Sequence, residues 1–199
     1  MCRNFPKLLT APAEAIAIAK KRASYGDALG TLIVDGIIMA IATAIFITQI
    51  GAMSSLGVIE GQGLGMAAIG MFVLTFLGGL FFALLVNLVT NTLGGNGDYL
   101  HGLTTTAYTL AAPAIGFLAT AIFFVIPWVG PIIGLLALSI GIALGVATLY
   151  RAIKDLYATD MVTSLVAVGI LMLAITAALT FLSPMLGLSG ISAAIPKIV

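Results

Sequence analysis

Charge, histidine and cysteine are all scarce in this chain. Lysine, arginine, aspartate and glutamate together make up 8% of its 199 residues, against about 25% in ordinary soluble domains. A soluble fold would have to carry the remaining apolar material on its surface as one continuous patch, which soluble monomers rarely expose. The near-balanced charge, +1 at pH 7, argues against a basic nucleic-acid-binding surface, and no nucleic-acid partner is expected. The single cysteine, Cys2, excludes a disulfide-built module. With His101 as the only histidine, a zinc or haem site built from those ligands is excluded as well. No metal or cofactor is therefore expected. His101 would have to serve as the base of any nucleophilic triad, and it is read instead as a solvated loop histidine beside Asp98. The run from Gly94 to Gly97 lacks the lysine and hydroxyl of a phosphate-binding loop. An enzyme is not expected.

What remains is apolar: hydrophobic residues reach 61% and the mean hydropathy is +1.24. No charged residue occurs from Gly36 to Ile59, from Gly61 to Gly97, from Tyr99 to Tyr150, or from Met161 to Pro196. A spanning helix needs about 20 apolar residues, so three of these runs hold one span each. The third holds two, divided by Pro127-Trp128-Val129-Gly130-Pro131, whose prolines and glycine end one helix and start the next. The expectation is an all-α integral membrane protein with five transmembrane helices at about 28–50, 64–91, 103–126, 131–150 and 162–182, followed by a short tail at 183–199.

The basic residues orient this bundle. Arg3, Lys7, Lys20, Lys21 and Arg22 precede the first span, Arg151 and Lys154 fall between the fourth and fifth, and Lys197 alone lies on the other side. Positive residues stay inside, which predicts a cytoplasmic N-terminus, an outer C-terminus and a multi-pass protein of the cell membrane. Tyr25, Tyr99, Tyr150 and Tyr157 are assigned to the inner aromatic belt and Trp128 to the outer turn. The glycines Gly61, Gly63 and Gly65 are placed in a flexible outer loop.

Residues 1–27 form a separate cytoplasmic segment. Pro12 suits the first position of a helix, Glu14 its first turn, and Lys20, Lys21 and Arg22 its C-terminal end. With Leu8, Leu9, Ile16 and Ile18 this reads as a short interfacial amphipathic helix whose basic residues meet the anionic headgroups of the inner leaflet. Alternatively, the basic cluster serves orientation alone. Ser24, with Asp27 three residues on, opens the first span as a cap.

Asp35 is the one acid well inside a span, where it costs about 2.5–3.5 kcal/mol and should face the bundle. Asp27, Thr31 and Asp35 are spaced by four and share one helix face. Asn87 and Asn91 repeat that spacing at the inner end of the second span, and Pro113 leaves the Thr109 carbonyl without its helical donor. The predicted result is one polar cluster of Asp35, Asn87, Tyr108 and the Thr109 carbonyl. It is either a site or structural hydrogen bonding between helices. Gly36, Ala40 and Ala44 in the first span and Ala137, Gly141 and Gly145 in the fourth make two close-packing faces, against another span or another copy of the chain.

The run Leu93-Gly94-Gly95-Asn96-Gly97-Asp98-Tyr99, followed by Thr106-Ala107-Tyr108 and Ala112-Pro113, resembles the corresponding region of the Yip domain family, the Ypt/Rab-GTPase-interacting membrane proteins. Phe5 with Pro12, Ser24 to Leu29 entering the first span, and Tyr157 to Asp160 before the last fit in order, so the resemblance covers nearly the whole chain. It implies a five-span bundle with a cytoplasmic N-terminus. Eukaryotic members of that family act in vesicle trafficking and bind prenylated small GTPases and one another. Here their long N-terminal region is reduced to about two dozen residues and their acidic Asp-Leu-Tyr-Gly-Pro motif is missing, which marks a compact, prokaryotic-type member.

Two functional classes follow. The first is a non-enzymatic interaction protein that acts on a membrane-protein partner, a second copy of itself or lipids through its cytoplasmic face. The second is a small ion- or proton-coupled transporter built on Asp35 and the polar cluster, favoured by the buried acid and a proline-interrupted third span. The family resemblance favours the first.

Overall fold

The structure, a computed structural model, describes residues 11–53 and 61–182. The expected tail at 183–199 and the contacts assigned to Leu8 and Leu9 lie outside them. The described residues form helices α1 (Pro12–Arg22), α2 (Tyr25–Met53), α3 (Gly61–Thr92), α4 (Tyr99–Phe123), α5 (Gly130–Leu156) and α6 (Met161–Leu182). The shortest of the last five has 22 residues, about 33 Å at the helical rise, enough for a hydrocarbon core of about 30 Å. Their outward faces carry Leu74, Phe81, Leu136, Leu165 and Leu173 exposed. Such a surface is unfavourable in water and suits hydrocarbon. The molecule is a multi-pass helical membrane protein.

Helix α4 is the centre of the bundle, packed against α2, α3 and α5. Its composition explains the position: Thr104, Thr105, Thr106, Ala107, Ala111, Ala112 and Gly116 are all buried, and such small side chains let neighbouring backbones approach. The most extensive contact is with α5. A side-chain carbon at Gly141 would lie 2.8 Å from the Ala112 carbonyl oxygen, and one at Gly145 would lie 2.8 Å from Pro113 Cγ. The small-residue face of α5 therefore meets another span of the same chain. Thr120 Oγ1 reinforces the contact, reaching the carbonyls of Gly134 at 2.7 Å and Gly116 at 2.8 Å. On α2, Gly36 faces the ring of Phe72 in α3.

Three expectations need correction. Helix α4 runs unbroken through Pro113, as membrane helices packed among neighbours tolerate, and the proline ring lies against Gly145, where a side chain would collide with it. Gly61, Gly63 and Gly65 are not in a loop but in the first turns of α3. Helix α1 also does more than offer a basic edge: Ala15, Ile16 and Ala19 are buried and the helix packs on α5. Lys20, Lys21 and Arg22 are left exposed in its last turn, at the end of the bundle that also holds the 93–98 and 157–160 connections. That end is called the basic end below.

Candidate functional site

The glycine-rich connection between α3 and α4 is held by the helices on either side of it. Gly94 turns the chain with φ of 92°, a left-handed conformation that favours glycine. Gly95 N–H then donates to the Thr90 carbonyl at 2.9 Å. Asn91, at the end of α3, grips Gly97 from both sides of its backbone: Nδ2 donates to the Gly97 carbonyl at 2.7 Å, and Oδ1 accepts from Gly97 N–H at 3.1 Å. The amide of Asn87, one turn earlier, lies 3.0 Å from the Asp98 carbonyl and 3.2 Å from that of Gly97, and donates to both with its nitrogen turned toward the loop. The loop thus gains main-chain partners from side chains of α3, which satisfies polar groups that a tight turn would otherwise leave unpaired.

The turn after α5 completes the assembly. Asn96 N–H donates to the Tyr157 carbonyl at 3.1 Å, and the Tyr157 hydroxyl meets the Asn87 amide at 3.3 Å. The Tyr157 ring is buried and lies where any side chain on Gly97 would have to go, so glycine at 97 is required by close approach. Burial first, and the negative charge of Asp98 second, push the Tyr157 hydroxyl well above its ordinary pKa. Tyr157 is thus not a belt residue but the inner wall of the glycine loop. No periodicity signals this; the sequence cues are its place immediately after the last turn of α5 and its part in the run from Tyr157 to Asp160 that fits the family resemblance.

Asp98 and His101 form a capping box that starts α4. Asp98 Oδ1 accepts from His101 N–H at 3.1 Å, and His101 Nδ1 returns to its partner, donating to the carboxylate at 2.6 Å when it carries the proton and accepting from Asp98 N–H at 3.2 Å when it does not. Slight desolvation would raise the Asp98 pKa, but the hydrogen bonds from the His101 backbone and ring outweigh it and hold the carboxyl below its usual value. His101 is therefore a structural residue of the first turn of α4, not a solvated loop side chain. Asp160 caps α6 in the same way, accepting from Thr163 N–H at 3.2 Å, and the Thr163 hydrogen bonds lower its pKa.

The polar cluster expected inside the membrane divides into two. Asn87 and Asn91 belong to the loop assembly at the basic end, with Gly94, Gly95, Gly97 and Asp98. Tyr99, just beyond, reaches back to the Leu80 carbonyl at 3.2 Å. Asp35 is deeper, fully buried, and borders a cavity of about 580 Å³ among α2–α6 that Thr109 and Pro113 also line. Neither carboxylate oxygen of Asp35 has a hydrogen-bond partner among the described residues, and neither does the Thr109 hydroxyl. Tyr108 is buried in the core. Thr31 turns to its own helix, donating to the Asp27 carbonyl at 2.9 Å, and Asp27 N–H is capped by Ser24 Oγ at 3.2 Å. The face shared by Asp27, Thr31 and Asp35 is therefore not a continuous polar track.

Residues 7–184 match the Yip1 domain. No curated protein matches the chain, and no solved structure does.

Proposed function

The chain belongs to the Yip1 domain family, and from that premise we propose that it is a non-enzymatic organising protein of the cell membrane that engages a membrane-protein partner or a second copy of itself through its basic end. In this reading that end faces the cytoplasm, where Lys20, Lys21 and Arg22 meet anionic headgroups. The observation that carries the proposal is the locking of the glycine loop. The Asn87 and Asn91 side chains of α3 bond the main chain of Gly97 and Asp98, the Tyr157 carbonyl after α5 accepts from Asn96 N–H, and the His101 ring of α4 meets the Asp98 carboxylate. Preorganised backbone is what a binding surface needs, because it avoids the ordering cost at the moment of association. Asn96 and Ala158 are exposed on that surface.

Transport is less well supported. The cavity beside Asp35 has only Thr75 and Thr109 as further polar side chains in its lining, and Thr75 is already bonded to the Met71 carbonyl at 2.8 Å. An ion path needs a succession of polar groups or water-lined surface. Two experiments test the proposal together. Mild-detergent extraction should yield a stoichiometric partner or homo-oligomer that is lost in Asn91→Ala and retained in Trp128→Ala, at the far end. Liposomes should show no ion or proton flux for wild type or Asp35→Asn. A consistently monomeric protein, or a flux abolished by Asp35→Asn, overturns it.

A further inference from the structure

Connections between helices are ordinarily polar, but the one between α4 and α5 is not. From Ala121 to Leu138 no side chain except the Trp128 indole carries a hydrogen-bonding group. The main chain shows how such a turn holds together. The N–H groups of Phe124, Val125 and Ile126 donate to the carbonyls of Thr120, Ile122 and Phe123, and those of Val129 and Gly130 donate to Pro127 and Ile126. Pro127 has no N–H to place. A side chain on Gly130 would run into the Phe123 carbonyl, so glycine closes the turn. Phe46 of α2 meets Phe124 edge-on, with ring centroids 5.0 Å apart, which ties the turn to the bundle. Backbone that satisfies itself within its own segment is what a hydrocarbon environment demands and water does not.

Trp128 is the exception. Its φ of 68° is a left-handed conformation that bulky residues rarely adopt, and its ring stands 91% exposed. Its main-chain N–H makes no hydrogen bond among the described residues, and the indole N–H can only donate. The tip therefore offers donors within an apolar surface. Phospholipid ester carbonyls, which only accept, are the matching groups at the edge of a bilayer.

Depth and shape agree with that match. Gly130 lies about 31 Å along α5 from Arg151 at the helical rise, and Arg151 is the charged residue nearest to it in sequence. This is the thickness of one hydrocarbon core, about 30 Å, so with Arg151 among headgroups at the basic end the turn reaches the opposite edge. Ile122 and Val125 before the turn, Val129 on it and Ile132 after it are all exposed. A protein partner would cover one face of the hairpin, whereas acyl chains surround both arms.

We propose that the α4–α5 turn is a lipid-binding tip, seated in the leaflet opposite the basic end, with its valines and isoleucines among acyl chains and the Trp128 donors on phospholipid ester carbonyls. The site is independent of the interaction surface at the basic end.

Trp128 is the only tryptophan in the chain, so tryptophan emission from the unmodified full chain reads this turn alone. In phosphatidylcholine vesicles that emission should be blue-shifted from that of N-acetyltryptophanamide in buffer. Iodide on both sides of the membrane should quench it several-fold less than it quenches the free compound. Phosphatidylcholine brominated near the glycerol end of its acyl chain should quench more strongly than the same lipid brominated farther down, because the ring lies near the ester level. Iodide quenching equal to that of the free compound overturns the proposal, since it puts the turn in water. Protection from iodide without quenching by either brominated lipid overturns it too, by assigning the turn to a protein contact. So does stronger quenching by the deeper bromines, which places the Trp128 donors below the ester carbonyls.

Discussion

Asn91→Ala should loosen the glycine loop without unfolding the bundle. The substitution removes two hydrogen bonds to the Gly97 backbone, at 2.7 Å and 3.1 Å. A net hydrogen bond contributes about 0.5–1.5 kcal/mol, so the two Gly97 bonds together hold the loop by about 1–3 kcal/mol. Asn91 is exposed, and water can replace part of what is lost, which favours the lower half of that range. About 1–2 kcal/mol corresponds to roughly 5- to 30-fold faster opening. Amide hydrogen exchange of the protein in nanodiscs reads this directly. The amides of Gly95, Asn96 and Gly97 should exchange 5- to 30-fold faster by this estimate, while those in the middle of α4 and α5 stay unchanged. Asn91→Asp should behave similarly, because it keeps the acceptor for Gly97 N–H but places a second oxygen against the Gly97 carbonyl. Unchanged exchange in the loop, or faster exchange throughout the bundle, would show that Asn91 does not hold the loop in this way.

Three further outcomes follow from the same geometry. Tyr157→Phe should lower thermal stability in detergent by no more than about 1.5 kcal/mol, the contribution of one hydrogen bond, whereas Tyr157→Ala empties a buried ring site and should cost about 3–5 kcal/mol. Gly145→Leu forces a side chain against Pro113 and the Thr109 carbonyl and should reduce the monodisperse fraction on size exclusion, with about 1–3 kcal/mol lost if the helices part to admit it. Because the folded-state pKa of Asp98 is depressed, its contribution is present above the ordinary carboxyl range and lost as pH falls through the folded value. Protection of the amides at the start of α4, taken relative to their intrinsic exchange at each pH, should therefore fall below about pH 4 in wild type, and Asp98→Asn should be loosened at neutral pH and lack that acid-side change.

Much of the fold is legible in the residues because the bilayer imposes long charge-free runs. Four such runs announce five long helices, because the pentad from Pro127 to Pro131 divides one of them at the turn where Trp128 stands 91% exposed with φ of 68°. The contact faces of Gly141 and Gly145 are legible too, but not their partner, since a stripe of small residues permits close approach without naming the neighbour. The site was harder to read for a physical reason. Asn87 and Asn91 sit four residues apart, which correctly puts them on one face, but depth counted along a helix does not say whether a side chain reaches inward or back to the loop. Their partner is the main chain of Gly97, and that pairing depends on the left-handed turn at Gly94. Tyr157 looks like any interfacial tyrosine until Gly97 and α5 are placed together. Asp35 stood out because a lone acid within an apolar run is unusual, whereas the cavity beside it arises from the packing of five helices.

In the proposed function a partner meets the basic end, and not the membrane interior or the opposite end. A photoreactive amino acid at Asn96 or Ala158, compared with the same group at Trp128, tests it directly in native membranes. A discrete cross-linked species of defined mass is expected from the first two positions, absent from the third and lost when Asn91→Ala is added. Equal cross-linking at both ends, or adducts at residues 96 and 158 that persist undiminished in Asn91→Ala, would contradict it.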